Sequence, residues 1–151
     1  MHVGERIDLE VFRAELAEEL VLMWRESFAG GVGVEEYHPV EDHVRFLLEE
    51  LVPKTPVRVA FVDGTLVGFV AATPTSVAQL YVRAGYHRQG IGSRLLAWAK
   101  EQSNGSLWLY TFARNSGARA FYEHHRFRIV ARGFEPNWQL EDLRYEWTGG
   151  R

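Results

Sequence analysis

Two glycines separated by one residue, Gly90 and Gly92, lie where an apolar strand is expected to turn into a helix. Residues 80–82 are strand-like, and the apolar spacing after Ser93 is helical. Glycine lets the backbone bend tightly and approach a ligand because it has no Cβ. The free N–H groups and positive dipole of a helix N-terminus bind phosphate. The stretch therefore predicts a phosphate site, with a turn that binds nothing as the alternative.

Two common phosphate-binding loops do not fit this stretch. The nucleoside triphosphate loop GxxxxGK[ST] does not occur in the sequence. The dinucleotide motif GxGxxG requires a third glycine where this chain has Leu95. Arg83, Arg88 and Arg94 flank the glycines, so an anion can be held by local positive charge.

The composition indicates one globular domain over residues 1–151. A net charge of -3 gives no general attraction to nucleic acid or to an anionic membrane, and neither is expected as a partner. The chain has no cysteine, which excludes thiolate metal sites and a cysteine nucleophile. The sequence has no signal-peptide pattern and no apolar run near the roughly 18 residues of a membrane span. The expected location is the cytoplasm.

The chain in order predicts an α/β fold, a mixed sheet covered by helices on both faces. The order is (β)ααβββαβαββ, with predicted strands at 9–13, 57–61, 66–73, 76–82, 107–112, 127–132 and 143–147. Helices are predicted at 15–28, 39–52, 90–102 and 115–125. A hairpin turn is predicted at Asp63-Gly64, after the second strand. Two loops rich in acidic and aromatic residues are predicted at 30–38 and 133–142. We expect strands 76–82 and 107–112 to be parallel neighbours, with the second one central and buried. The glycine turn would then lie at a carboxyl strand end, where ligands bind in such sheets.

A second motif lies on the helix that follows strand 107–112. It comprises Asn115, Ala118, Phe121-Tyr122-Glu123 and Phe127, in the run NSGARAFYEHHRF. Together with VRAGYHRQGIG, at this separation and in this element order, it resembles the GNAT superfamily of acyl-CoA-dependent N-acetyltransferases. The resemblance covers most of the chain and implies a GNAT-type fold whose sheet splays apart beside the glycine turn.

The resemblance also implies roles for individual residues. The family pattern [Q/R]xxGx[G/A], here residues 87–92, would cradle the pyrophosphate of acetyl-CoA, and the pantetheine arm would pair with the preceding strand. An amide near Tyr81 or Val82 would polarise the acetyl carbonyl, and Tyr122 would protonate the departing thiolate. No metal and no covalent enzyme intermediate are implied. The implied cofactor-binding residues are Leu80, Tyr81, Val82, His87, Arg88, Gln89, Gly90, Ile91, Gly92, Ser93 and Asn115.

The sequence departs from the family pattern at three positions. His87 replaces the usual Arg or Gln, and Gln89 stands where a basic residue is common, so the cradle carries less positive charge. Arg126 stands where glycine commonly follows the helix. A non-glycine residue in a left-handed cap costs about 1 kcal/mol, so a local difference at this helix end is expected.

The acceptor side is less well specified. Many members of the family carry a carboxylate on the strand before the glycine turn, but SVAQLYV has none, and Gln79 cannot act as a base. Base candidates lie in the two loops, although each is also explained as a solvated charge: Glu35, Glu36, Tyr37, His38, Glu135 and Glu141. No base is needed if the amine arrives partly deprotonated. For the acceptor pocket we predict Glu35, Tyr37, His38 and Trp138.

These observations favour transfer of an acetyl group from acetyl-CoA to a primary amine on a small molecule or peptide. The acidic loops favour a cationic amine. The alternative is a non-catalytic acyl-CoA-binding sensor, supported by the missing strand carboxylate and by His87. Taken alone, Tyr122 on the inner face of a helix favours core packing, and the motif context favours the catalytic role instead. The histidine pairs lack metal-ligand spacing. A homodimer through the final strands is left open.

Overall fold

The computed structural model describes residues 6–149. Within them the strands are β1 (Ile7–Val11), β2 (Val57–Val62), β3 (Thr65–Ala72), β4 (Val77–Val82), β5 (Ser106–Phe112), β6 (Arg128–Glu135) and β7 (Leu140–Thr148). The helices are α1 (Ala17–Val32), α2 (Val40–Phe46), α3 (Ile91–Glu101) and α4 (Ser116–His124). A 3-10 turn (Ala14–Leu16) precedes α1, and a π-helical segment (Leu47–Leu51) continues α2.

The strands form two antiparallel sheets that meet at one point. The first has the order β1-β2-β3-β4 and the second the order β5-β7-β6. A single parallel bridge, Ser76 with Trp108, joins them, and the N–H of Trp108 donates to the carbonyl of Thr75 at 3.0 Å. Beyond this bridge β4 and β5 splay apart. Together they form the expected mixed, splayed sheet.

The prediction that strand 107–112 is central and buried was wrong. β5 is an edge strand of the second sheet, and it neighbours β4 only at the bridge. Leu107 and Leu109 are buried in the core, whereas Tyr110, on the opposite face, is 56% exposed. The run LWLYTF looks uniformly apolar because aromatic residues occupy its uncovered face.

Helices cover both faces of the first sheet, as predicted. On one face, α3 and α4 pack with the sheet in a core cluster that includes Leu95 and Tyr122. On the other face, α1 and α2 form a second cluster that includes Leu20 and Trp24. The Asp63-Gly64 turn is confirmed, because Val62 pairs with Thr65 and both turn residues have positive φ, 50° and 79°.

The predicted end of α1 near residue 28 was wrong. The helix continues through Gly30 and Gly31 to Val32 and ends at Gly33, whose φ is 85°. Glycine weakens a helix interior by about 1 kcal/mol, so sequence alone favoured an earlier end. Val32 is buried, at 3% exposure, and Gly31 lies directly against the side chain of Asn115. These tertiary contacts hold the last turn.

The predicted loop at residues 133–142 was also wrong. β6 and β7 extend into it, pairing Glu135 with Leu140, so that only residues 136–139 remain as a turn. Glycine and acidic residues disfavour strands, but the register of the hairpin carries the pairing through them. The extension places Trp138 at the tip of a β-hairpin.

Candidate active site

The gap between β4 and β5 is a narrow cleft. Its walls are formed by strand residues and by the first turns of α4, namely Val77, Ala78, Gln79, Leu80, Tyr81, Leu109, Tyr110, Thr111, Asn115, Ala118 and Tyr122. β4 pairs with β3 on its other side, so the splayed edge of β4 keeps backbone N–H and C=O groups for a ligand. An extended arm can bind such an edge in the manner of an added strand.

Tyr122 presents its hydroxyl to this cleft. The side chain is 7% exposed, and its ring packs against Phe121 and Phe127, with centroids 5.2 and 5.5 Å away. Among the described residues the hydroxyl has no hydrogen-bond partner. Every fully buried side-chain oxygen in that part of the chain does have a partner. The Tyr122 hydroxyl is therefore not fully buried, and it is open to the cleft that the residue lines. Burial, followed by the nearby Tyr81, raises the pKa of Tyr122. The group is therefore a neutral O–H donor at physiological pH.

Asn115 lines the cleft but also caps α4. Its Oδ1 accepts a hydrogen bond from the N–H of Ala118 at 3.1 Å, as an N-cap residue does. A Cβ on Gly31 would lie 2.9 Å from its Nδ2, so this amide fills the space that the glycine leaves. The contact ties the last turn of α1 to the cleft.

The glycine turn is wound tightly before α3. Gly85, Arg88 and Gly90 have φ values of 89°, 65° and 84°. Gly90 is the N-cap of α3, and its carbonyl accepts from the N–H of Arg94. Within residues 6–149, the backbone N–H groups at positions 91–93 have no backbone acceptor. They form the anion-binding end expected of a helix N-terminus.

His87 does not face this helix end. Its Nε2 lies 3.0 Å from the carbonyl oxygen of Val82, and because a carbonyl only accepts, Nε2 must carry the hydrogen. The same carbonyl accepts from the Ser27 hydroxyl at 2.9 Å. His87 thus ties the turn to the end of β4. Because His87 stands where the family pattern has Arg or Gln, this orientation leaves the cradle without a side-chain donor from that position.

The other cradle residues are placed as follows. Arg88 is exposed, and Gln89 reaches back to the carbonyl of Gly85 at 3.5 Å. Ser93 Oγ lies 3.0 Å from Nε2 of His125 at the end of α4. A Cβ on Gly92 would come within 3.1 Å of the Phe121 ring, so this glycine lets α4 pack closely beside the cradle.

The acceptor-side residues come together from two distant segments. Tyr37, in the loop after α1, packs edge-on against Trp138 of the β6–β7 hairpin, with centroids 4.8 Å apart. Trp138 also contacts Phe28 of α1 at 5.0 Å, and Tyr37 lies over His38 at 4.2 Å. The structure therefore joins three of the four predicted acceptor residues. Glu35 is exposed and makes no hydrogen bond or ion pair within the described part of the chain.

Glu36 is the carboxylate that turns inward. Its side chain is only 14% exposed, and Oε1 lies 2.5 Å from Nδ1 of His38 and 3.1 Å from the His38 backbone N–H. Burial alone would raise the pKa of Glu36, but the bonds from His38 outweigh it, and the pKa lies below its ordinary value. The carboxylate is therefore ionised at neutral pH.

The other two carboxylates proposed as bases are engaged elsewhere. Glu135 accepts from the N–H of Trp138 at 2.8 Å and from the Asn137 amide at 3.3 Å, so it closes the hairpin turn. Glu141 pairs with Arg132 at 3.4 Å. Glu36 differs from both because its side-chain partner is His38, another of the base candidates.

Sequence reasoning missed three residues that support the site. Ser27, which donates to the carbonyl of Val82, is a polar residue on an otherwise apolar helix stripe. Its polar side chain at a buried-type position could have indicated such a hydrogen bond. His43 is 9% exposed and packs against Trp24, with centroids 4.3 Å apart. Burial lowers the pKa of His43, so its ring is neutral at pH 7. Arg25 lies 3.5 Å from its Nδ1 and 3.4 Å from the carbonyl of Glu36. Nothing in the sequence indicated that these two residues meet.

Comparison with known families decides the assignment. The family described as the acetyltransferase (GNAT) family matches residues 15–127, which is more than half of the chain. The protein belongs to the GNAT family. The matched range begins before α1 and ends just after α4, so it contains the cleft, the cradle and Tyr122.

Solved structures support the GNAT fold. Apo-form YjaB from Escherichia coli superposes with a TM-score of 0.78 at 21% identity, covering 96% of this chain and 99% of that one. PaiA N-acetyltransferase from Thermoplasma acidophilum, solved in complex with coenzyme A, gives 0.73 at 21% identity, with 94% and 99% covered. The putative acetyltransferase yncA from Salmonella typhimurium, solved with acetyl-CoA, gives 0.73 at 10% identity, with 96% and 95% covered. None of the curated proteins compared with the chain matches its sequence.

No helix within residues 6–149 combines the length and apolar character needed to cross a bilayer. The same range contains no cluster of three or more His, Asp or Glu side chains arranged to hold a metal ion.

Proposed function

We propose that this GNAT protein transfers an acetyl group from acetyl-CoA to a primary amine of a small molecule or peptide, and that a cationic amine is preferred. The observation that carries the proposal is the unpartnered hydroxyl of Tyr122 at the cleft between β4 and β5. A buried tyrosine hydroxyl normally finds a partner. One that is left facing a cleft, beside an anion-binding helix end, is suited to donate a proton to a ligand group.

The reaction follows from the positions of these groups. The pyrophosphate would lie on the free N–H groups at the start of α3, and the pantetheine arm along the splayed edge of β4. A backbone amide near Tyr81 or Val82 would stabilise the oxyanion that forms when a neutral amine attacks the thioester carbonyl. The C–N bond forms, the C–S bond breaks, and the Tyr122 hydroxyl donates its proton to the leaving thiolate.

The acceptor would approach from the side of Tyr37 and Trp138. Their rings offer an apolar surface for the body of the amine. The ionised Glu36 and the exposed Glu35 supply negative charge for an ammonium group. Acidic and aromatic side chains together favour cations.

Two measurements test this function. Titration calorimetry with coenzyme A and with acetyl-CoA tests the donor site, and release of free thiol from acetyl-CoA in the presence of a panel of primary amines tests turnover. We expect binding of both nucleotides and thiol release with cationic amines that carry an apolar group. The proposal would be refuted if the protein bound no coenzyme A and released no thiol with any amine.

A second candidate, a non-catalytic acyl-CoA sensor, is favoured by two observations. β4 carries Gln79 where a carboxylate base is common, and His87 is turned away from the cradle. The two candidates differ in one result. The enzyme loses turnover in Tyr122→Phe while it keeps its CoA affinity, whereas a sensor binds acetyl-CoA and never releases thiol.

A further inference from the structure

We propose that His38 is the base that deprotonates the acceptor ammonium, and that Glu36 is the positioning residue that fixes its ring and attracts the ammonium by its charge. This inference rests on the proposed function. It concerns a step that the cleft residues leave unassigned, because within residues 77–82 of β4 no side chain can accept a proton from an amine at neutral pH.

The hydrogen positions follow from the chemistry of the pair. An ionised carboxylate can only accept hydrogen bonds. The 2.5 Å contact between Glu36 Oε1 and His38 Nδ1 therefore requires the hydrogen to be on Nδ1. In a neutral imidazole the lone pair is then on Nε2. This is the arrangement in which a carboxylate fixes the tautomer of a histidine base.

The pair is anchored on one side and open on the other. The carbonyl of Glu36 accepts from Arg25 of α1 at 3.4 Å, and its carboxylate is mostly buried. The side chain of His38 is 53% exposed. The anchored carboxylate therefore holds a ring that remains open to solvent.

Several charged and titratable groups face the pair. His43 of α2 and Tyr81 of β4 both interact electrostatically with Glu36, and Arg25 lies beside His43. Burial raises the pKa of Tyr81 to about 12, and His43 is neutral at pH 7. Of these groups only Arg25 adds a charge in the neutral range, and it is directed to a carbonyl.

The loop that carries the pair lies at the mouth of the cleft. It leaves α1 at Gly33, where a Cβ would come within 3.4 Å of the Arg114 guanidinium, one residue before the cleft-lining Asn115. Tyr81, which lines the cleft, lies against Trp24 of α1 with ring centroids 6.0 Å apart, and the next residue, Arg25, donates to the carbonyl of Glu36. The pair therefore lies on the α1 side of the cleft.

The proton balance is complete. The substrate enters as an ammonium ion attracted by the charge of Glu36, and Nε2 of His38 takes one proton to leave a neutral amine. When the neutral amine attacks the thioester, its nitrogen gains a positive charge and carries one more proton than the amide will keep. Tyr122 gives its proton to the departing thiolate and becomes a phenolate. Water then carries the extra nitrogen proton to that phenolate. His38 releases its proton to solvent. The net products are the amide, coenzyme A and one proton.

The experiment measures kcat/KM against pH for the wild type, His38→Ala, His38→Gln and Glu36→Gln, with the best amine from the panel. An imidazole base gives the wild type an acidic limb, because only the deprotonated ring can accept a proton. Both His38 variants should lose that limb, and about 100-fold of kcat/KM at neutral pH. The loss should shrink as the pH approaches the pKa of the free amine. Added imidazole should partly restore His38→Ala.

Glu36→Gln keeps an acceptor for Nδ1 but removes the charge. We expect the acidic limb to persist and kcat/KM for the cationic amine to fall about fivefold to tenfold, mainly through KM, because a charged hydrogen bond is replaced by a neutral one. His124→Ala and Glu41→Gln, which alter an exposed histidine and an exposed carboxylate outside the site, are the matched controls and should keep the wild-type profile.

The outcomes separate the two proposals. CoA affinity is measured for each variant, so that a folding defect is recognised directly. If a His38 variant binds CoA normally and keeps the wild-type limb and turnover, the base assignment is overturned while the acetyltransferase function stands. If the wild type itself neither binds CoA nor releases thiol, the function fails before the base is tested.

Discussion

Replacing Tyr122 by Phe should separate chemistry from folding and binding. The hydroxyl has no hydrogen-bond partner among residues 6–149, so its removal breaks no intramolecular bond. Phe keeps the ring contacts with Phe121 and Phe127. The free energy of unfolding should change by less than about 1 kcal/mol, which corresponds to no more than about 2–4 °C in Tm for a chain of this size.

The effect on turnover should be much larger. A positioned general acid contributes about 10² to 10⁴ in rate, which is roughly 3–5 kcal/mol of transition-state free energy. Because burial keeps the hydroxyl protonated across the assay range, the wild-type profile should show no basic limb from this group. We therefore expect kcat to fall at least about 100-fold, at every pH tested and with unchanged CoA affinity.

The assay combines thiol release, CoA calorimetry and thermal unfolding, with Tyr145→Phe as the reciprocal control. Tyr145 is fully buried, but its hydroxyl donates to Glu123 at 2.6 Å. Its loss should lower stability by about 1.5 kcal/mol with little change in kcat. Wild-type kcat in Tyr122→Phe would refute the acid role. A fall of Tm as large as in Tyr145→Phe would show that the Tyr122 hydroxyl makes a structural bond.

Three further outcomes are expected. Gly68→Ala should destabilise the protein by about 3 kcal/mol, because the new Cβ would lie 2.8 Å from the backbone carbonyl of Tyr81. Gly30→Ala should stabilise the protein by up to about 1 kcal/mol, because nothing lies within 4 Å of its Cβ position. Equal melting temperatures for the two variants would contradict this pair of predictions. Asn115→Ala should cost about 1 kcal/mol by removing the cap of α4, and Asn115→Asp should restore most of it in chemical denaturation. The buried His43 has a pKa lowered from 6.5, so below about pH 6.5 the unfolded chain takes up a proton that the folded chain refuses. Stability should therefore fall as the pH is lowered through about 6.5, and His43→Gln should flatten that slope in denaturant titrations. An unchanged slope would mean that His43 takes up its proton equally in the folded and unfolded chains.

The sequence was most informative where local chemistry decides the structure. The Asp63-Gly64 turn and the Asn115 cap were predicted because each depends on a few neighbouring residues. The local difference expected at the end of α4 was wrong, because Arg126 adopts the left-handed conformation that glycine would have, with φ of 72°. The glycine turn was recognised for the same reason. These features carry the donor half of the proposed site.

The acceptor half depends on contacts between distant segments. Tyr37 and Trp138 are about a hundred residues apart in the sequence, and no periodicity relates them. The sequence named both Glu35 and Glu36 as base candidates and placed only Glu35 in the acceptor pocket, because adjacent acidic residues in a loop look alike until burial distinguishes them. The anchor from Arg25 and the bond to His38 select Glu36.

The sequence by itself determined the order of elements, the glycine turn and the motif that contains Tyr122, since these follow from residue types at short spacing. Only the tertiary structure decided how far α1 and the last hairpin extend, because the buried contacts of Val32 outweigh the weak helix propensity of Gly31, and pairing with β7 carries β6 through Gly133. It also decided that β5 is an edge strand and that His87 turns to Val82. Both depend on which hydrogen-bond partners remain once the two sheets have packed, and that is a property of the assembled chain.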